Sequence, residues 1–280
     1  MRENLLSAYK KIRGIMGNEP AWAVHRCDDP TQLVHCTIPF IGKEYANQEF
    51  KILLYASAEN LSGYDGYLDA ASIADDRHRW CYNQWQKVAT DAEKFYPDVH
   101  LQPVTDGPLL LAAYYIASQL SPQYGQNMEP DAFMEKIAFG NYGKYSIEGA
   151  RNKDYARVKG KLAMSHNYIE QDVSILQPNL IILPRTILNT DYRFISSLQG
   201  LTPKPLHFCG IMQLNRRTLS SNIPNQCSKL GLQPKEYADL NASILEWSQK
   251  VKGARTENLR WLFTHLDAAM EEMKRGGIGG

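Results

Sequence analysis

The chain lacks most of the short signatures that announce a chemistry. Its five cysteines stand singly at 27, 36, 81, 209 and 227, with no C-x-x-C pair. An odd, scattered set argues against a disulfide framework, a zinc ribbon or a four-cysteine iron–sulfur site. No G-x-G-x-x-G occurs, and "VKGKL" lacks the glycine spacing of a phosphate-binding loop, so a dinucleotide fold has no fingerprint. No G-x-S-x-G elbow is present either, which disfavours a serine hydrolase around Ser57. No apolar run approaches the ~18 residues of a membrane span. The opening "MRENLLSAYKKIRGIMG" mixes charges into its apolar residues where a secretory signal would be uninterrupted, and reads as a short amphipathic helix. Charge of one sign is missing too. Lys and Arg total 31 against 30 Asp and Glu, so no global field commits the protein to nucleic acid or membrane and local patches must decide. The expectation is a cytoplasmic protein with no cofactor and no membrane partner.

The nearest approach to a metal pattern is His25-x-Cys27 followed by His35-Cys36. Its spacing matches no standard knuckle and adjacent ligands are geometrically awkward, so these are read as buried or loop residues and no metal is expected.

What is present is a core. Hydrophobic residues make up 44% of the 280-residue chain, and four apolar segments read as strands: "FKILLYA" (50–56), "KIAFG" (136–140), "NLIILP" (179–184) and "LHFCGIMQL" (206–214). Runs apolar on both faces suit the middle of a parallel sheet. "WAVHR" and "LVHCTI" are possible shorter strands. Helices are expected over 69–95, from Asp106 as N-cap with Pro108 in the first turn to Pro122, across 158–177 until Pro178, and over 235–251 and 256–274, the last capped by Thr256. Strands separated by helices predict an α/β fold, a three-layer α/β/α arrangement around a mostly parallel four-stranded sheet. No linker divides the chain, so residues 1–280 are expected to form one domain, with an N-terminal helix and extension over 1–49, C-terminal helices over 235–274 and a flexible tail over 275–280.

In such a sheet ligands bind beyond the carboxyl ends of the strands. Four segments should converge there: "SAENLSGYDGY", "GNYGKYSIEG", "RTILNTDY" and "NRRTLSSN". The order of a strand with a polar loop, a strand with Asn–aromatic–Lys, and then "EQDVSILQPNLIILP" resembles the uracil-DNA glycosylase superfamily over roughly residues 50–215. In that family the first strand ends in a motif such as G-Q-D-P-Y or, in divergent members, G-Q-E-T-N-G-W. The second motif, often T-N-x-x-K-Y, is matched by Asn141 with Lys144 and Tyr145, and "ILQPNLIILP" matches the helix–strand junction. Ala56 stands at the family's glycine and Ala58 at its water-positioning Asp, leaving Glu59 and Asn60 as the nearest polar pair. Asn215 in "MQLNRRTLSS" stands where the family carries H-P-S.

The resemblance implies a base-flipping glycosidase acting on DNA. Asn141 would read the Watson–Crick edge of a base, since an amide offers a donor and an acceptor on one plane. Tyr64, Tyr67 and Tyr142 are the aromatics for stacking on it. Glu59 and Asn60 would serve the developing sugar cation and its water, and Asn215, Arg216 or Arg185 the leaving base. Lys144, Lys153 and Arg157, in a basic run over 144–161, together with Arg185, Arg216 and Arg217, are the expected phosphate contacts. Two other readings stay open: a non-catalytic nucleic-acid-binding module, and an enzyme acting on a free nucleoside or other small molecule.

Overall fold

The computed structural model describes residues 1–15, 39–58, 103–125, 128–144, 162–251 and 255–276. In chain order the main elements are α1 (Arg2–Ile15), β1 (Phe40–Ile41), β2 (Ile52–Ala58), α2 (Pro103–Leu120), α3 (Pro130–Met134) and β3 (Ala138–Gly143). There follow α4 (His166–Leu176), β4 (Leu180–Pro184), α5 (Arg185–Thr190), α6 (Tyr192–Ser197) and β5 (His207–Ile211). The chain then forms α7 (Ile223–Lys229), α8 (Ala242–Lys250) and α9 (Thr256–Lys274).

The five strands make one mixed sheet in the order β1-β3-β2-β4-β5. The β3–β2, β2–β4 and β4–β5 pairs are parallel, and β1 is antiparallel to β3. This corrects the four-stranded expectation. Phe40 pairs with Phe139 and Ile41 with Ala138, closing the outer edge of β3. A two-residue strand has no periodicity to read, yet it covers backbone groups that would otherwise template aggregation.

Successive residues of the central strands point to opposite faces, as strand geometry demands. Ile52 and Leu54 of β2, with Leu180 and Ile182 of β4, enter a core shared with α2, α7, α8 and α9. Leu53 and Tyr55, with Ile181 and Leu183, enter a second core shared with α1, α4, α5 and α6. Helices thus cover both faces of the sheet. Leu5, Tyr9 and Ile12 form the buried stripe of α1, at the spacing of one helix face. Residues 110 to 117 of α2 are buried all round, which suits an interior helix rather than an amphipathic one.

Element ends move for identifiable reasons. The helix expected from Asp106 begins at Pro103, so Pro108 lies inside it, in the second turn, where it has no N–H to give the Val104 carbonyl. Instead of entering a strand at Lys136, the backbone N–H of that residue bonds the Phe133 carbonyl in a turn. β3 then runs to Gly143 because β2 continues beside it to Ala58. The segment 235–251 is helical throughout only from Ala242, where the Asn241 side chain accepts from Ile244 N–H at 2.8 Å. Thr256 is the first residue of α9 rather than its cap, Arg255 holding the cap position without a side-chain bond. "RTILNTDY" and "NRRTLSSN", expected as loops, are mostly helical: α5 follows β4 directly, and a π-helical turn over Thr218–Asn222 leads into α7. The expected helix at 69–95 and the possible strands "WAVHR" and "LVHCTI" lie outside the described residues.

Candidate functional site

Strand order selects the place. β2 has the strand that follows it, β3, on one side and β4 on the other, while β5 continues outward from β4. The connections therefore diverge between the carboxyl ends of β2 and β4, the position where open α/β sheets hold ligands. A cleft lies there, lined by Tyr55, Ala56 and Ser57 of β2, Pro184 of β4, Ile211 to Leu214 at the end of β5, and Leu109 of α2. Its walls are mainly apolar, with Ser57 and Gln213 as polar side chains. No charged residue lines it among the described residues.

Asn141 sits on β3 directly opposite Ala56 of β2 and is half-buried. It is an internal strand residue, two positions before the strand ends. Asn215 is exposed, and its carbonyl oxygen accepts from Thr218 N–H at 2.9 Å, so it caps the helical segment after β5. Glu59, Asn60, Tyr64, Tyr67, Lys153 and Arg157 lie outside the described residues.

Three expected contacts are engaged elsewhere. Tyr142 is buried, donates to Asp191 Oδ2 at 2.7 Å and packs with its ring perpendicular to that of Tyr55, so it is not exposed for stacking on a base. Lys144 is 1% exposed and its ammonium lies 2.6 Å from Asp172 Oδ2, out of reach of any phosphate. Arg185, partly exposed on α5, pairs with Glu272 at 3.0 Å. Arg216 and Arg217 are exposed at the start of the helical segment after β5.

The Lys144 environment is a closed network. Tyr9 of α1 donates to Asp172 Oδ1, and Tyr55 of β2 donates to Oδ2, each at 2.6 Å. The ammonium also faces the rings of Tyr55 and Tyr9 at 5.2 and 5.6 Å. Burial, and then the charge of Asp172, pushes the Tyr55 phenol well above its ordinary value, so it stays a neutral donor.

Two further groups at the carboxyl edge escaped sequence reasoning. His265 of α9 is buried, and its Nε2 accepts the backbone N–H of Met212, a cleft residue, at 3.1 Å. Burial, aided by the charge of Arg185, lowers its pKa to about 4, so the ring is neutral near pH 7. His166, the first residue of α4, places Nε2 at 2.8 Å from Asp191 Oδ2 and stacks flat on Phe194 with ring centres 3.5 Å apart. Nothing in the sequence joins positions 166 and 191; only the return of the chain through β4 and α5 does.

The buried thiols offer no nucleophile. Burial, then Glu272, pushes Cys209 up to about 12, and burial raises Cys227. Among the described residues no group of three or more His, Cys, Asp or Glu is arranged to hold a metal ion. None of the described helices is long and apolar enough to cross a membrane. Comparison with known proteins finds no family model, no curated protein and no solved structure that matches the chain.

Proposed function

We propose that the chain is a three-layer α/β/α domain of the uracil-DNA-glycosylase-like kind that binds a nucleobase at the carboxyl edge between β2 and β4. The observation that carries the reading is the cleft at that edge, with Asn141 on the strand beside it. Apolar walls suit the face of a base, and a strand-borne amide is rigid enough to read its edge. The sequence resemblance supplies the reaction, hydrolysis of the N-glycosidic bond of a base in DNA, with Glu59 and Asn60, next in the sequence after β2, as its candidate catalytic residues.

The test is a panel of oligonucleotides carrying uracil, hypoxanthine or alkylated bases, scored for abasic sites. Cleavage of one of them, reduced about tenfold or more in Asn141→Ala, is the expected result. No abasic product from any substrate, together with no binding of any free nucleoside, overturns the reading.

A second reading has an observation in its favour. The described lining of the cleft carries no charge, and Lys144 and Arg185 are tied to Asp172 and Glu272 rather than offered to phosphates. That arrangement suits a free nucleoside better than a DNA backbone. Salt separates the two: DNA binding falls steeply with added salt and collapses in Lys153→Glu/Arg157→Glu, whereas nucleoside binding responds to neither.

A further inference from the structure

Pro184 ends the β2–β4 ladder where the cleft begins. The two strands pair only as far as Leu54 beside Ile182. The next bond of that parallel ladder would run from the N–H of residue 184 to the Tyr55 carbonyl, and a proline has no N–H. β2 and β4 therefore go unpaired where Tyr55, Ala56, Ser57 and Pro184 line the cleft. Another wall is the segment leaving β5, Ile211 to Leu214, and its main chain is held on both sides of Gln213. Met212 N–H donates to His265 Nε2 at 3.1 Å, Leu214 is buried, and Asn215 Oδ1 accepts from Thr218 N–H at 2.9 Å. Gln213 itself is exposed, and among the described residues no hydrogen bond engages its amide. A fixed backbone thus presents a free amide to a cleft whose described lining carries no charge. Ser57, the other polar side chain there, offers a single hydroxyl, whereas an amide sets a donor and an acceptor on one plane.

We infer that Gln213 is a specificity-determining residue of the cleft, its amide reading a base edge that sets a ring N–H beside a carbonyl, as in uracil or hypoxanthine. The inference rests on the nucleobase reading above and adds Gln213 to Asn141. Oε1 accepts the ring N–H while Nε2 donates to the carbonyl. Such an edge is neutral, which suits an uncharged cleft; a charged one would lose its hydration there without a counter-charge. With the main chain already held at Met212 and Leu214, only the Gln213 side chain has to be ordered on binding, which keeps the entropic cost low.

The test measures binding of uridine and inosine, free and as single residues in an oligonucleotide. Beside them are measured 3-methyluridine and 1-methylinosine, in which a methyl group replaces the ring N–H. Wild type should bind one of the unmethylated forms about tenfold or more tightly than its methylated counterpart. Gln213→Ala should weaken the unmethylated form about tenfold and leave little difference between the two, with Tm unchanged because the side chain bonds nothing in the described fold. Gln213→Glu keeps the length and the acceptor but has no N–H for the carbonyl, and should weaken binding at pH 7 at least as much. Unchanged affinity in Gln213→Ala, or a methyl penalty that survives in it, overturns the inference and leaves the nucleobase reading standing. A Tm lowered by several degrees assigns the amide to the fold and overturns it too. Failure to bind uridine or inosine in either form overturns the inference whatever other base is bound. If no base is bound or cleaved at all, the nucleobase reading falls with it.

Discussion

Asp172 and Lys144 meet at 2.6 Å with side chains 0% and 1% exposed. The pair joins the middle of α4 to the residue just after β3, and two tyrosines donate to the same carboxylate, one to each oxygen. Removing one charge leaves the other buried without a partner, which costs about 3–5 kcal/mol, whereas replacing both with apolar groups can be near neutral. Asp172→Ala should therefore lose about that much in urea unfolding. Lys144→Met/Asp172→Leu should lose clearly less than the single variant, and equal losses would show that packing rather than charge sets the cost.

His265 makes stability depend on pH. Its pKa is about 4 in the fold against 6.5 for the free group. Above pH 6.5 the ring is neutral in both states and its contribution is complete. As pH falls from 6.5 towards 4 the unfolded chain takes up the proton first, so stability declines, by roughly 3 kcal/mol in total, and levels off below 4. His265→Gln keeps an acceptor for the Met212 N–H and should flatten this part of the profile. A wild-type curve that is already flat between pH 6.5 and 4 contradicts the assignment.

Gly42 marks a close approach of two backbones. A methyl group there would overlap the main chain at Met134 and Glu135, where Gly42 N–H bonds Ile137 O and Glu44 N–H bonds Glu135 O. Gly42→Ala should cost about 2 kcal/mol or more and detach the β1 edge, seen as faster hydrogen exchange at Phe139, whose N–H faces β1.

Cys209 should behave as an inert thiol. With its pKa at about 12, roughly one molecule in ten thousand is thiolate at pH 8. Alkylation by iodoacetamide should be undetectable in the native protein and rapid in urea. Prompt native labelling at Cys209 would mean that β5 opens readily.

The core was legible where apolar residues recur with a clear period or fill a whole strand. "LIILP" is buried at every position, and the alternation of Ile52, Leu53, Leu54 and Tyr55 between two faces follows from strand geometry alone. Lys144 was misleading because it opens a basic run over 144–161, while its partner Asp172 lies 28 residues on, inside α4. A clue did exist. Asp172 falls within the buried stripe of Ile169, Val173 and Leu176, and a carboxylate on an apolar face requires a partner. Tyr9, in the stripe of α1, was a similar clue. The cleft followed from the rule for parallel sheets, but the His166–Asp191 pair depends on where α5 and α6 fold back, and no local pattern encodes that.

The strand order has a consequence for how this chain reaches its fold. β2 is central, yet both of its partners come from much later in the chain, with Leu53 set beside Ala138 on one side and Ile181 on the other. During synthesis its apolar residues emerge with no strand to pair with, and the sheet cannot close until β4 has been made. Assembly is thereby governed by long-range closure rather than local helix formation, which makes for slow folding and an interval of exposed strand edge. Chaperone dependence in vivo and refolding yield that falls with protein concentration are the behaviours to expect from placing the earliest long strand of the described residues at the middle of the sheet.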